Sequence, residues 1–432
     1  MDLPRAFLAR MQTQLGADFD KYLDSIASPT AKALRVNPLK ITPSHLSALV
    51  PFPLTPVPWC SDGFYYDDAR PGKYAYHDAG LYYIQEPSAQ AVAVVLDAQP
   101  GERVLDLCAA PGGKATAIAG QLAGRGILVA NEPHPTRAKI LSQNIERMGV
   151  SNAVVTSADP TALATRFCGF FDRILVDAPC SGEGMFRKDT DTQNEWSPDA
   201  VIACAARQWS ILASAVTMLR PGGRLVYSTC TFSREENECI AERLTRETPL
   251  VSETITLAGF SEARDGLRIW PHRVRGEGHF IASFRRPGDA AVDTPHVEGS
   301  ESFPSFDAFA NESLTSVPCG AVTRLGDQLY IIPSGLPCLD GIRILRFGLH
   351  LGTLKKNRFE PSHALSHVAA ARRQVKLAAD SDELSRYLAG ETLRAPCENG
   401  WCQVTVSGYP LGWGKVSEHV LKNHYPKGLR HK

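Results

Sequence analysis

The chain has no excess of either charge: 46 lysines and arginines face 46 aspartates and glutamates in 432 residues. Without a global basic field, any binding to RNA must come from local clusters. Long apolar runs are lacking as well, and no stretch approaches the roughly 18 uninterrupted apolar residues of a membrane helix. The first residues show no basic start, long apolar core and small-residue cleavage site, which predicts a cytoplasmic protein with reduced thiols. Eleven cysteines are scattered without a tight framework. Cys397 and Cys402 have no second pair at matching spacing, so no metal is expected. No internal repeat of convincing period occurs. What is present, 44% apolar and 21% charged residues, is an ordinary globular composition. The length implies two or three domains.

Read in order, residues 1–27 predict a docking helix with Leu3, Phe7, Leu8, Met11 and Leu15 on one face. Pro51, Pro53, Pro56 and Pro58 enforce an extended run. Six tyrosines follow, Tyr65, Tyr66, Tyr74, Tyr76, Tyr82 and Tyr83, beside Arg70 and Lys73. They suit base stacking and packing equally well. From residue 86 to 286 strands and helices alternate, which predicts a doubly wound parallel sheet with helices on both faces. Residues 1–85 would then be a small N-terminal RNA-binding or docking domain. Residues 287–320 hold six acids and no lysine or arginine and read as an acidic linker. Beyond it, 321–432 reads as a C-terminal RNA-binding region, with short strands near 322–332 and 342–347. Its basic residues include Arg343, Arg346, Lys355, Lys356, Arg358, Arg372, Arg373 and Lys376, and the tail adds Lys415, Lys422, Lys427, Arg430 and Lys432.

Two strand patterns end abruptly in loops that each carry one cysteine: DAPCSGEG with Cys180, and STCTFSREENE with Cys230. Loops that follow adjacent parallel strands face one crevice, so two thiols are delivered to one place. A cysteine there can also be a small buried hydrophobe. Asp177, three residues before Cys180, favours chemistry. An earlier strand leads into Cys108, Ala109, Ala110, Pro111, Gly112, Gly113 and Lys114, and Glu132 closes the next strand 20 residues after Gly112. That interval suits an acid gripping ribose hydroxyls. Because APGGK is neither GxGxxG nor a P-loop, a sulfonium nucleoside fits better than a pyrophosphate. Asp159, past the third strand, is placed to meet the adenine.

These strings, with LRVNP (34–38) and QEPSAQA (85–91), resemble the RsmB/RsmF family, also called Nop/Sun, of S-adenosylmethionine-dependent RNA cytosine-5 methyltransferases. The resemblance covers most of residues 30–285. The tail LGWGKVSEHVLKNHYPKGLR is similar to the PUA-like end of the branch that modifies small-subunit ribosomal RNA. It implies a Rossmann-like class I methyltransferase sheet, with residues 108–114, Glu132, Asp159 and Asp177 lining the methyl donor. It further implies Cys230 as nucleophile, Cys180 as the base that releases product, and Asp177 as the group that positions the N3 and N4 edge of the base. DNA cytosine-5 methyltransferases attack with the cysteine of their Pro-Cys motif, so the two thiols could exchange roles. The expected partner is RNA, 16S rRNA or the small subunit, with the protein acting as a monomer. Transfer RNA is the runner-up substrate. A ribosome-assembly factor without catalysis and a dehydrogenase are the readings from other classes.

Overall fold

The computed structural model describes residues 3–289, 301–356 and 358–431. Its centre is a nine-stranded sheet whose parallel part runs Ala153–Thr156, Ile127–Asn131, Arg103–Asp106, Phe171–Asp177, Leu219–Thr229, with His279–Arg285 antiparallel beyond. The chain builds outward from Arg103–Asp106 on one side and then returns to its other flank with Phe171–Asp177. The crevice beyond the carboxyl ends at this reversal is where an open α/β sheet binds ligand. The central strands read as continuous apolar runs because helices cover both faces. Val92, Ile118 and Leu141 pack on one face, and Leu163, Leu212 and Met218 on the other.

Helix starts follow local chemistry. Pro87 opens Pro87–Leu96 while the Glu86 carboxylate accepts from Ala89 N, and Ser197 caps Pro198–Met218 in the same way. Pro198–Met218 is long and apolar enough to cross a membrane by length and composition. Here it lies on the sheet with Val201, Leu212, Ala215 and Met218 buried.

The N-terminal part supplies the helices Arg5–Leu15 and Phe19–Ala27, then two shorter ones, Pro43–Leu49 and Ala75–Asp78, and a four-stranded antiparallel sheet. Phe7, Met11 and Tyr22 bury against Phe186, Trp196, Phe232 and Trp270, so this docking stripe closes over the thiol loops. Five of the six tyrosines are buried, only Tyr74 remaining partly open. Packing, not base stacking, is what holds them: Tyr82 donates to Pro71 O and Tyr65 to Arg275 O.

The C-terminal part differs from its sequence reading in three places. Residues 290–300 of the expected linker and Lys432 of the basic tail lie outside the described residues. The rest of that stretch forms a helix, Pro304–Ser313, whose Phe306, Phe309 and Ala310 enter a core with Phe359 and Trp413. The i, i+3, i+4 apolar spacing is a helical stripe that the acidic composition concealed. Ile344–Phe347 does not join the strands around it; it pairs antiparallel with Ala153–Thr156 and extends the central sheet. Arg346 on that strand is buried and pairs with Glu146, which removes it from any RNA-facing surface. The remaining strands form a four-stranded and a five-stranded sheet.

Candidate active site

Loops that follow the five parallel strands, with the helix Pro198–Met218, line a cavity of about 530 Å³, a size suited to a small-molecule ligand. Cys108, Ala110, Glu132, Asp159, Asp177, Cys180 and Cys230 all line it. Ala109, Pro111, Gly112, Gly113 and Lys114 build the adjoining loop without lining the cavity. Ala109 N donates to Asn131 O, which ties the loop to the next strand end. Gly112 has φ +114, a conformation side chains rarely adopt, and it starts the helix Gly113–Leu122.

One half of the cavity carries acceptors. Glu132 is buried, accepts from His134 N and lies 3.3 Å from Arg137. Asp159 caps a short helix by accepting from the Thr161 hydroxyl and amide, and these bonds hold its carboxyl below the usual range. Burial and the nearby carboxylates push the Cys108 thiol well up, so it contributes as a neutral, packed group. Acidic acceptors around such a volume match the hydroxyls and amine of a nucleoside, and the set fits S-adenosylmethionine.

The other half is built on Asp177. Lys114 Nζ donates to Oδ2 at 2.7 Å, Ser228 Oγ to Oδ1 at 2.7 Å, and His279 Nε2 lies 3.4 Å from Oδ1. Burial alone would raise this carboxyl, but Lys114 and His279 outweigh it and hold it far below the usual carboxylate value. Burial pulls Lys114 down in turn, yet Asp177, Asp106 and Cys230 together leave it above the ordinary lysine value. Asp106, at the end of Arg103–Asp106, has both oxygens buried with no well-formed hydrogen bond among the described residues and is pushed up to about 8, first by burial and then by Asp177, against a lowering contribution from Lys114 and the Cys108 amide.

Cys180 and Cys230 stand with Sγ atoms 3.3 Å apart. The Cys180 thiol is pushed well above its usual value, first by its contact with Cys230 and then by burial. After Cys230 the chain makes a hydrogen-bonded turn at 234–237 and then the helix Glu238–Glu247. Sequence reading missed His279, Ser228 and two buried glutamates, Glu183 and Glu236. Both glutamates sit inside the quoted strings, but a charge in a polar loop looks solvated until its partners are known.

Solved structures similar to this chain carry the same sheet. A methyltransferase homolog protein from Pyrococcus horikoshii is 26% identical, with TM-score 0.57 over 66% of this chain and 100% of that one. NSun6 from Pyrococcus horikoshii, solved with SFG, shares the fold at TM-score 0.60 and 22% identity, over 66% of this chain and 99% of that one. Fold, cavity and likeness define a class I methyltransferase. Residues 93–285 match the 16S rRNA methyltransferase RsmB/F description, and residues 3–87 the N-terminal domain of 16S rRNA methyltransferase RsmF. Residues 308–368 match the RsmF first C-terminal domain and 374–431 its PUA domain. Ribosomal RNA small subunit methyltransferase F of Klebsiella pneumoniae (strain 342) is 36% identical, over 99% of this chain and 96% of its own length. Its namesake in Vibrio vulnificus (strain YJ016) is 34% identical over 99% and 97%. The chain belongs to the RsmB/F family of 16S rRNA methyltransferases.

Proposed function

We propose that this chain methylates carbon 5 of a cytosine in 16S rRNA through a covalent bond between Cys230 and carbon 6 of the base. The observation that carries this reading is the pair of thiols 3.3 Å apart, both on one cavity beside Asp177. S-adenosylmethionine, held by Cys108, Ala110, Glu132, Asp159 and Asp177 over the loop that Ala109 and residues 111–114 shape, supplies the electrophilic methyl group. Carbon 5 of cytosine is a weak nucleophile, and thiolate addition at carbon 6 makes it enamine-like. Cys230 forms that sulphur–carbon bond. Asp177, an ionised acceptor, holds the N4 amine, and Lys114, bonded to that carboxylate from outside the cavity, keeps it ionised.

Cys180 then takes the carbon-5 proton, and the electrons of that bond expel the Cys230 thiolate. At rest Cys180 is held protonated chiefly by Cys230. Conversion of Cys230 to a thioether removes that cause, so Cys180 ionises more readily once its turn as base arrives. The target base must leave its stack to reach the cavity, and the PUA domain at 374–431 suits it to grip RNA around the site. The reading includes a monomer in the cytoplasm, where eleven free thiols are chemically at home. Bisulfite sequencing of ribosomal and transfer RNA from a deletion strain tests the substrate. Loss of a methylated 16S cytosine is expected; loss confined to transfer RNA would replace that substrate.

A further inference from the structure

The two thiol loops are stitched together by carboxylates that cross in opposite directions. Glu183, three residues after Cys180, sends Oε2 to the backbone amide of Phe232, two residues after Cys230, at 2.9 Å. Glu236, six residues after Cys230, sends Oε2 to the amide of Ser181, next to Cys180, at 3.0 Å. Each carboxylate is fully engaged. Glu183 Oε1 accepts from Trp196 Nε1 and from Arg10 of the N-terminal helix. Glu236 accepts from the hydroxyls of Ser181 and Ser233 and from Gln208 Nε2. Gly184 N donates to Cys230 O at 2.8 Å, and a Cβ at Gly184 would stand 2.8 Å from that oxygen, so only glycine lets the loops close this far.

We infer that Glu183 and Glu236 are positioning residues, a reciprocal clasp that holds the two thiols within reach of adjacent carbons of one pyrimidine, with Arg10 tying the clasp to the N-terminal helix. Neither glutamate lines the cavity, and both are buried, so they act through the loops and not on the base. Carbons 5 and 6 are bonded neighbours, so the attacking sulphur and the base must sit side by side, and a misplacement of about 1 Å costs on the order of 100-fold. A glutamine at either position presents an amide donor to groups that already donate, which opens the clasp while keeping size and shape.

The inference rests on the covalent reading above, and its test separates the two. Diamide oxidises the thiol pair of the full-length protein, without RNA, to an intramolecular disulfide; two electrons and two protons pass to the azo bond, and peptide mass spectrometry follows the Cys180–Cys230 link. Glu183→Gln and Glu236→Gln are expected to form that disulfide at least about tenfold more slowly than wild type. With RNA, both should lose kcat by about 10- to 100-fold at nearly unchanged KM, and Glu236→Gln should accumulate covalent adduct. Restoring the carboxylate in Glu236→Asp should recover part of both rates. Disulfide formation at the wild-type rate in both glutamine variants would overturn the clasp, whatever their activity or melting temperature. Slower disulfide with no adduct under any condition would keep the clasp and sink the covalent reading. If the glutamine variants do not fold, Arg10→Ala carries the test: about threefold slower disulfide is expected, and an unchanged rate overturns the clasp.

Discussion

The chain brings two pairs of sulphurs together at almost the same distance, Cys180 with Cys230 at 3.3 Å and Cys397 with Cys402 at 3.4 Å. The first pair joins loops from adjacent parallel strands and opens on a cavity that holds an ionised aspartate. The second sits within five residues at one end of a hairpin, with Cys402 packed among Val404, Val416 and Leu421. Proximity alone therefore does not tell the two pairs apart. A receiving carboxylate, a nearby ammonium and an open volume make the difference, and only the strand-end crevice has them.

The sharpest way to break this contrast is to remove one sulphur from each pair. Cys230→Ala is expected to lower single-turnover methyl transfer to RNA by on the order of 10⁴-fold or more, as removal of a covalent nucleophile does. Cys402→Ala should leave that rate within about twofold, and equal losses in both would erase the distinction. Asp177→Asn comes next: it keeps the shape but loses the ionised acceptor facing Lys114, and kcat/KM should fall by about 10²- to 10³-fold. A loss under tenfold would mean that the carboxylate is not needed to hold the base.

Much of the contrast was legible in the residues. The motif strings and the strands Ile127–Asn131 and Ala153–Thr156 could be read because apolar β-branched runs stop at polar loops. The sulphur pair itself could be read because parallel strands share one crevice. Partners far apart in sequence could not. Glu183 meets Phe232 across 49 residues, and Arg346 meets Glu146 across 200. The edge strand Ile344–Phe347 has only four residues, too few to show which sheet it would join. The acids between 287 and 320 mask the helical spacing of the phenylalanines at 306 and 309, and the tyrosines near 65–83 suit stacking and packing alike because their burial depends on partners distant in sequence.

The two regions should also differ in how pH acts on them. The folded pKa of Asp106, about 8, lies above its unfolded value near 3.8. Its contribution to stability is complete below about pH 4 and is lost as pH rises toward 8. Asp106→Asn should flatten that part of the melting curve and melt higher than wild type near pH 8. In the hairpin, burial and then Cys397 push Cys402 up to about 12 from 9.0. By the same linkage its loss of stability falls between about pH 9 and 12, and Cys402→Ala should remove that alkaline slope while the lost packing of its buried sulphur lowers the melting temperature evenly at lower pH. This is the smallest of the expected effects on pH dependence; a pH-dependent Cys402 contribution near neutral pH would contradict the assignment.

The central claim is a transient bond from one particular sulphur to the base. It is tested most directly by mixing the Cys180→Ala protein with S-adenosylmethionine and small-subunit RNA, digesting, and mapping the trapped nucleotide by mass spectrometry. The account predicts a methylated cytosine attached through the peptide that contains Cys230, and no adduct in Cys230→Ala. An adduct carried by Cys180 in the Cys230→Ala protein, or methylated RNA formed at full rate without Cys230, would contradict it.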